Sequence, residues 1–136
     1  MKTTTPTVVT LCGSTRFKAA FEKAMKDETL AGRIVLTVGM FCHQELLDVD
    51  GPVKEMLDAL HLRKIDLSSE ILVIDPKVLV CDRCGKPAKL YTKLANETEC
   101  CRATWAQKSY IGESTAREIA YALAEKKRVR YLSQES

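Results

Sequence analysis

Thr7-Val-Val-Thr-Leu-Cys-Gly-Ser-Thr-Arg-Phe17 decides the fold. A β-branched apolar run following Pro6 reads as a strand over residues 7–11, and Gly13-Ser14 ends it sharply. Ser14 or Thr15 is placed to cap a helix whose apolar positions Phe17, Phe21, Ala24 and Met25 share one face. That helix stops near Gly32. The same unit recurs downstream. Residues 33–38 form a second buried-type strand, and residues 39–51 a loop with Cys42, His43 and acidic side chains. Pro52 opens a second helix, with Val53, Met56, Leu57 and Leu60 as its core stripe and Leu67 extending it. Residues 70–75 form a third strand ended by Pro76, residues 113–127 a third helix and residues 129–132 a last strand.

Strands alternating with helices at this rhythm imply a doubly wound parallel α/β sheet, Rossmann- or flavodoxin-like, of about four to five strands. Ligands of such sheets bind beyond the carboxyl ends of the strands. The topology therefore carries Cys12, Gly13, Ser14 and Arg16 to the same rim as Gly112-Glu-Ser-Thr-Ala-Arg-Glu118, with Asp75 beside them.

Composition narrows the function classes. The chain has 136 residues, 46% apolar and 29% charged, enough for one globular domain with its own core. A net charge of +3 with acids and bases intermixed argues against a nucleic-acid partner. The basic run Lys126-Lys-Arg-Val-Arg130 suits a helix C-terminus, where cations are favoured. No stretch has the length of a membrane span, and the N-terminus lacks the apolar segment of a signal peptide, so a cytoplasmic location is expected. In that compartment the six cysteines read as thiols or metal ligands rather than disulfides.

Glu118 carries two readings. Thr115-x-x-Glu118 has the form of a capping box, in which the carboxylate serves only the backbone of its own first turn. At a ligand-binding rim the same carboxylate can attack a sugar carbon, with Ser114, Thr115 and free N–H groups holding a phosphate or hydroxyl beside it. Asp66 is likewise either an exposed helix acid paired to Arg63 or Lys64, or a rim carboxylate. His61, Lys64 and Asp66 diverge around the helix, which argues against a tight triad.

The order of Cys12-Gly-Ser-x-Arg16 after the first strand, Asp66-Leu67 before the third, and Gly112-x-Ser114-x-x-x-Glu118-Ile-x-x-Ala122 at the last helix resembles the nucleoside 2-deoxyribosyltransferase superfamily. The first of these motifs is most similar to its 2′-deoxynucleoside 5′-monophosphate N-glycosidase branch. The resemblance covers residues 7–75 and 110–132. It implies cleavage or exchange of an N-glycosidic bond in a (deoxy)nucleoside or its 5′-monophosphate, with Glu118 as nucleophile through a glycosyl-enzyme ester. Asp66 would assist the departing base. Cys12, Gly13, Ser14, Arg16 and Asp75 would line the nucleotide, with Gly112, Ser114 and Thr115 toward its 5′ end. The family also implies a homo-oligomer, a dimer or larger, and no organic cofactor. The alternative, from another class, is a non-catalytic nucleotide-binding or sensor module.

Residues 77–109 interrupt the last crossover and contain four of the six cysteines. Cys81-Asp-Arg-Cys84-Gly85 has the form of a zinc knuckle, and Cys100-Cys101 follows at about the interval of a second ligand pair. This segment reads as an inserted zinc-ribbon-like module with a structural Zn²⁺ on Cys81, Cys84, Cys100 and Cys101, or on one of the adjacent pair with Cys42, His43 or another side chain completing the four ligands, because an insertion of this length without a core is hard to order otherwise. In the non-catalytic alternative it docks a partner.

Overall fold

The computed structural model describes residues 5–39, 51–81 and 105–135. Strand β1 (Val8–Gly13) leads through a tight turn into helix α1 (Lys18–Leu30), and strand β2 (Ile34–Leu36) follows. Helix α2 (Gly51–Leu67) precedes strand β3 (Glu70–Ile74). Strands β4 (Lys77–Cys81) and β5 (Trp105–Ser109) come next, then helix α3 (Glu113–Ala124), strand β6 (Arg128–Tyr131) and a 3₁₀ turn at Leu132–Gln134.

Four strands form a parallel sheet in the order β2-β1-β3-β6. The alternation of side chains along each strand divides the core in two. Val9, Leu11, Leu72 and Ile74 pack with Phe17, Phe21 and Ala24 of the α1 side. Cys12, Ile71 and Val73 pack on the opposite face with Ile65 of α2 and Ala122 of α3. Helices thus cover both faces, as a doubly wound Rossmann-like sheet requires. The first crossover runs to one side of β1 and the later ones to the other. The strand order therefore reverses between β1 and β3, and the crevice at their carboxyl ends, next to Gly13 and Asp75, is the ligand position of such sheets.

Gly13 is dictated by packing, since a Cβ there would lie 2.8 Å from the Ile74 carbonyl oxygen. Gly32, at φ +87°, ends α1 in the left-handed region that the helix-stop reading required.

Two local expectations are corrected. Neither Ser14 nor Thr15 caps α1: the cap position is Phe17, without a side-chain cap bond. Ser14 Oγ instead accepts from Arg16 Nε at 3.0 Å. The apolar stripe assigned to the core face of α2 faces outward, with Met56 54% and Leu60 47% exposed and Val53 and Leu67 also exposed. The helix buries His61 and Ile65 instead, with Leu57 half-buried one turn earlier. Its inner face is rotated because the sheet offers it the polar Thr10, whose hydroxyl donates to the Lys64 carbonyl at 3.0 Å, and Cys12.

Residues 77–109 begin and end in an antiparallel ribbon outside the main sheet, pairing Lys77 with Ser109 and Cys81 with Trp105. Cys84, Cys100 and Cys101 lie outside the described residues, as does the side chain of Cys81, so the proposed zinc module does too. Cys42 and His43 also lie outside them. No helix among the described residues is long and apolar enough to cross a membrane.

Candidate functional site

The first turn and the last helix, a hundred residues apart in sequence, meet at the carboxyl rim. Tyr110 joins them: its ring packs edge-on against Phe17, with centroids 5.8 Å apart, and the Arg16 guanidinium stacks 5.2 Å from its centroid. The other side of Tyr110 lies over Gly112, the residue that caps α3. Because Gly112 takes the cap position and no side chain makes a cap bond, the capping box does not form. Thr115 is buried, and Glu118 is freed from the helix terminus.

Glu118 turns into the protein, with its side chain 14% exposed. It faces two groups from two other elements. Its Oε1 lies 3.9 Å from His61 Nε2 on α2, and the same nitrogen lies 3.5 Å from the Cys12 thiol at the end of β1. The thiol sulfur lies within 4.8 Å of the Glu118 carboxylate.

Burial sets the protonation of this cluster. It raises the Glu118 carboxyl to about 7, with the Asp58 carboxylate pushing the same way and the Cys12 hydrogen bond, Lys54 and Arg117 opposing. His61 is lowered to about 4, first by burial and then by the Lys64 charge. The Cys12 thiol is pushed well above its ordinary value by burial and by Glu118. Near neutral pH the cluster therefore consists of a neutral imidazole, a protonated thiol and a carboxyl balanced between its two forms. A carboxylate of raised basicity is a stronger nucleophile and a better proton acceptor than an exposed glutamate.

Just outside the cluster, the Ser114 hydroxyl accepts from Lys54 Nζ at 3.4 Å and from Arg117 Nη2 at 3.3 Å. Two cations thus converge where the α3 N-terminus already favours negative charge.

The other residues marked by sequence have different placements. Asp66 is not brought to Glu118: it pairs at the surface with Arg63 Nε at 2.8 Å and accepts from the Tyr121 hydroxyl at 2.5 Å. Asp75 is buried at the rim, but its oxygens are engaged by the Ser109 hydroxyl at 2.9 Å and by the Ser133 amide and hydroxyl at 2.8 and 2.7 Å. It ties the base of the ribbon to the C-terminal turn. A shallow groove of about 510 Å³ runs past Arg16, Phe17 and Pro76 along the first turn of α1, away from Cys12, His61 and Glu118.

Sequence reasoning missed His61 and Asp58. Leu57, His61 and Ile65 recur at i, i+4 and i+8, a second stripe on α2 that places the histidine inward. Comparison of the chain with protein-family models, curated proteins and solved structures finds no match in any of the three.

Proposed function

We propose that this chain cleaves or exchanges the N-glycosidic bond of a (deoxy)nucleoside or its 5′-monophosphate. One observation carries the reading: Glu118 does not cap its helix but turns inward at the strand-order reversal, beside Cys12, where a sheet of this topology receives its ligand.

In this reading the Glu118 carboxylate attacks C1′ of the sugar. The bond to the base breaks, its electron pair leaves with the base, and a glycosyl ester forms on the enzyme. Water or a second base then attacks the same carbon and returns the carboxylate. The resemblance gave assistance of the leaving group to Asp66, which lies on the outer surface. Asp58, one turn before His61 and within electrostatic reach of Glu118, takes that role here. Lys54, Arg117, Ser114 and the α3 amides would hold a 5′-phosphate, with Arg16 and Tyr110 flanking the nucleotide. The resemblance also implies an oligomer. The exposed Met56 and Leu60 of α2 offer a second copy apolar surface to cover, which sedimentation of Leu60→Glu against the unaltered chain would test.

The deciding experiment incubates the protein with a panel of nucleosides and 5′-monophosphates and measures free base by chromatography. Base release that disappears in Glu118→Ala, with ligand binding kept, supports the reading. Binding without release in the unaltered protein favours the non-catalytic alternative.

A further inference from the structure

The residues around Glu118 form a donor set that the glycosidase reading does not use. A thiol, an imidazole and a carboxylate, from β1, α2 and α3, bring one donor atom each to within 4.8 Å of one another. Cys12 and His61 are buried and Glu118 nearly so. Two edges of this triangle are 3.5 and 3.9 Å. With the third no longer than 4.8 Å, a point in its plane lies at most about 2.4 Å from all three atoms, against the ~2.0–2.3 Å bonds of zinc to nitrogen, oxygen and sulfur. The three donor atoms thus stand within a few tenths of an ångström of ligand positions.

Charge points the same way. Glu118 is a nearly buried carboxylate with one basic group within 4.0 Å among the described residues, the His61 ring at 3.9 Å, which is uncharged near neutral pH. The nearby cations are engaged elsewhere, Lys54 with Asp58 at 3.0 Å and Arg117 with Glu113 at 3.8 Å. Mixed sulfur, nitrogen and oxygen donors suit zinc and its neighbours, whereas magnesium and calcium require oxygen ligands.

We propose that Cys12, His61 and Glu118 bind a thiophilic divalent cation of the zinc class, and that the ion closes the site by occupying the carboxylate that would attack the sugar. Binding exchanges protons for the metal: the S–H bond breaks, a sulfur–metal bond forms, and the thiol proton leaves to solvent, together with the Glu118 proton in the fraction of molecules that carry it. The ion enters past Glu118, the most exposed of the three ligands. The binding half of the proposal stands independently of the enzymatic reading, and the closure half rests on it.

The test titrates Co²⁺ into the reduced, chelator-stripped full chain. A thiolate-to-cobalt charge-transfer band is expected. Cys12→Ser should abolish the part contributed by this site. His61→Gln and Glu118→Gln should each weaken it by about 100-fold or more, beyond the ~10–100-fold typical of losing a ligand's hydrogen-bond partner. Unchanged stoichiometry and affinity in all three variants would overturn the proposal by placing the metal elsewhere, for example on Cys81 and Cys84. Should Cys12→Ser fail to fold, X-ray absorption of the unaltered chain loaded with Zn²⁺ to saturation decides: nitrogen and oxygen scatterers beside sulfur support the site, and a shell of sulfur alone overturns it. Zn²⁺ should also stop base release, and a chelator restore it. Base release insensitive to Zn²⁺ defeats closure while leaving the glycosidase reading intact. A cobalt band dependent on all three ligands, without base release under any condition, sustains the metal site and removes the enzymatic reading.

Discussion

His61 and Glu118 are expected to cancel each other in the pH dependence of stability, and breaking the pair should expose two opposite slopes. Folding lowers His61 from 6.5 to about 4 and raises Glu118 from 4.5 to about 7. Between pH 4.5 and 6.5 the unfolded chain carries a proton on the imidazole and none on the carboxyl. The folded chain carries it on the carboxyl and not on the imidazole. The proton count is equal, so the pair contributes no slope over that interval, although the proton has moved. In Glu118→Gln only the histidine remains. The unfolded state then binds one proton more, so stability should rise with pH by about 1.4 kcal/mol per unit relative to the unaltered chain, about 2.7 kcal/mol over the two units. In His61→Gln only the carboxyl remains. The folded state binds one proton more, so stability should fall at a similar slope of about 1.4 kcal/mol per unit and continue falling to pH 7. Urea unfolding at half-unit intervals, with a chelator present, reads both slopes. Two variants parallel to the unaltered protein would refute the buried, oppositely shifted pair.

The remaining predictions concern activity and packing. If Glu118 attacks as a carboxylate, kcat/KM for base release should rise with pH through about 7, and Asp58→Asn, by removing a charge that raises Glu118, should move that limb to lower pH in a pH–rate profile. Gly13→Ala should destabilise the fold by about 1–3 kcal/mol in urea, because its Cβ would meet the Ile74 backbone oxygen, which cannot swing aside. Asp75→Ala strips the acceptor from the Ser133 amide and two hydroxyls and should cost about 2–4 kcal/mol of unfolding free energy, whereas Asp75→Asn should retain part of it.

The parallel sheet was legible because β1 and β3 are short, largely apolar runs rich in β-branched residues and followed by Gly13 and Pro76, a pattern suited to strands buried on both faces. Gly32 marked the end of α1 because a left-handed residue there leaves little choice. On α2, periodicity revealed that faces exist but not which one is inward. The outward Met56 and Leu60 are as regular as the inward Leu57, His61 and Ile65, and the site needed a polar inner face. The ribbon of β4 and β5 was masked by the cysteines beside it, although Val78, Leu79 and Val80 form a short apolar run with two β-branched residues. Glu118 was identified as a residue of interest with two readings. What separated them was the backbone at Gly112, which took the cap position that Thr115 had been given.

The glycosyl-enzyme ester is the most direct test of the central claim. Protein quenched in acid during turnover and digested for mass spectrometry should show one sugar, or sugar phosphate, on the peptide containing Glu118, and none in Glu118→Gln. Base release that persists in Glu118→Gln with no adduct on that peptide would contradict the account.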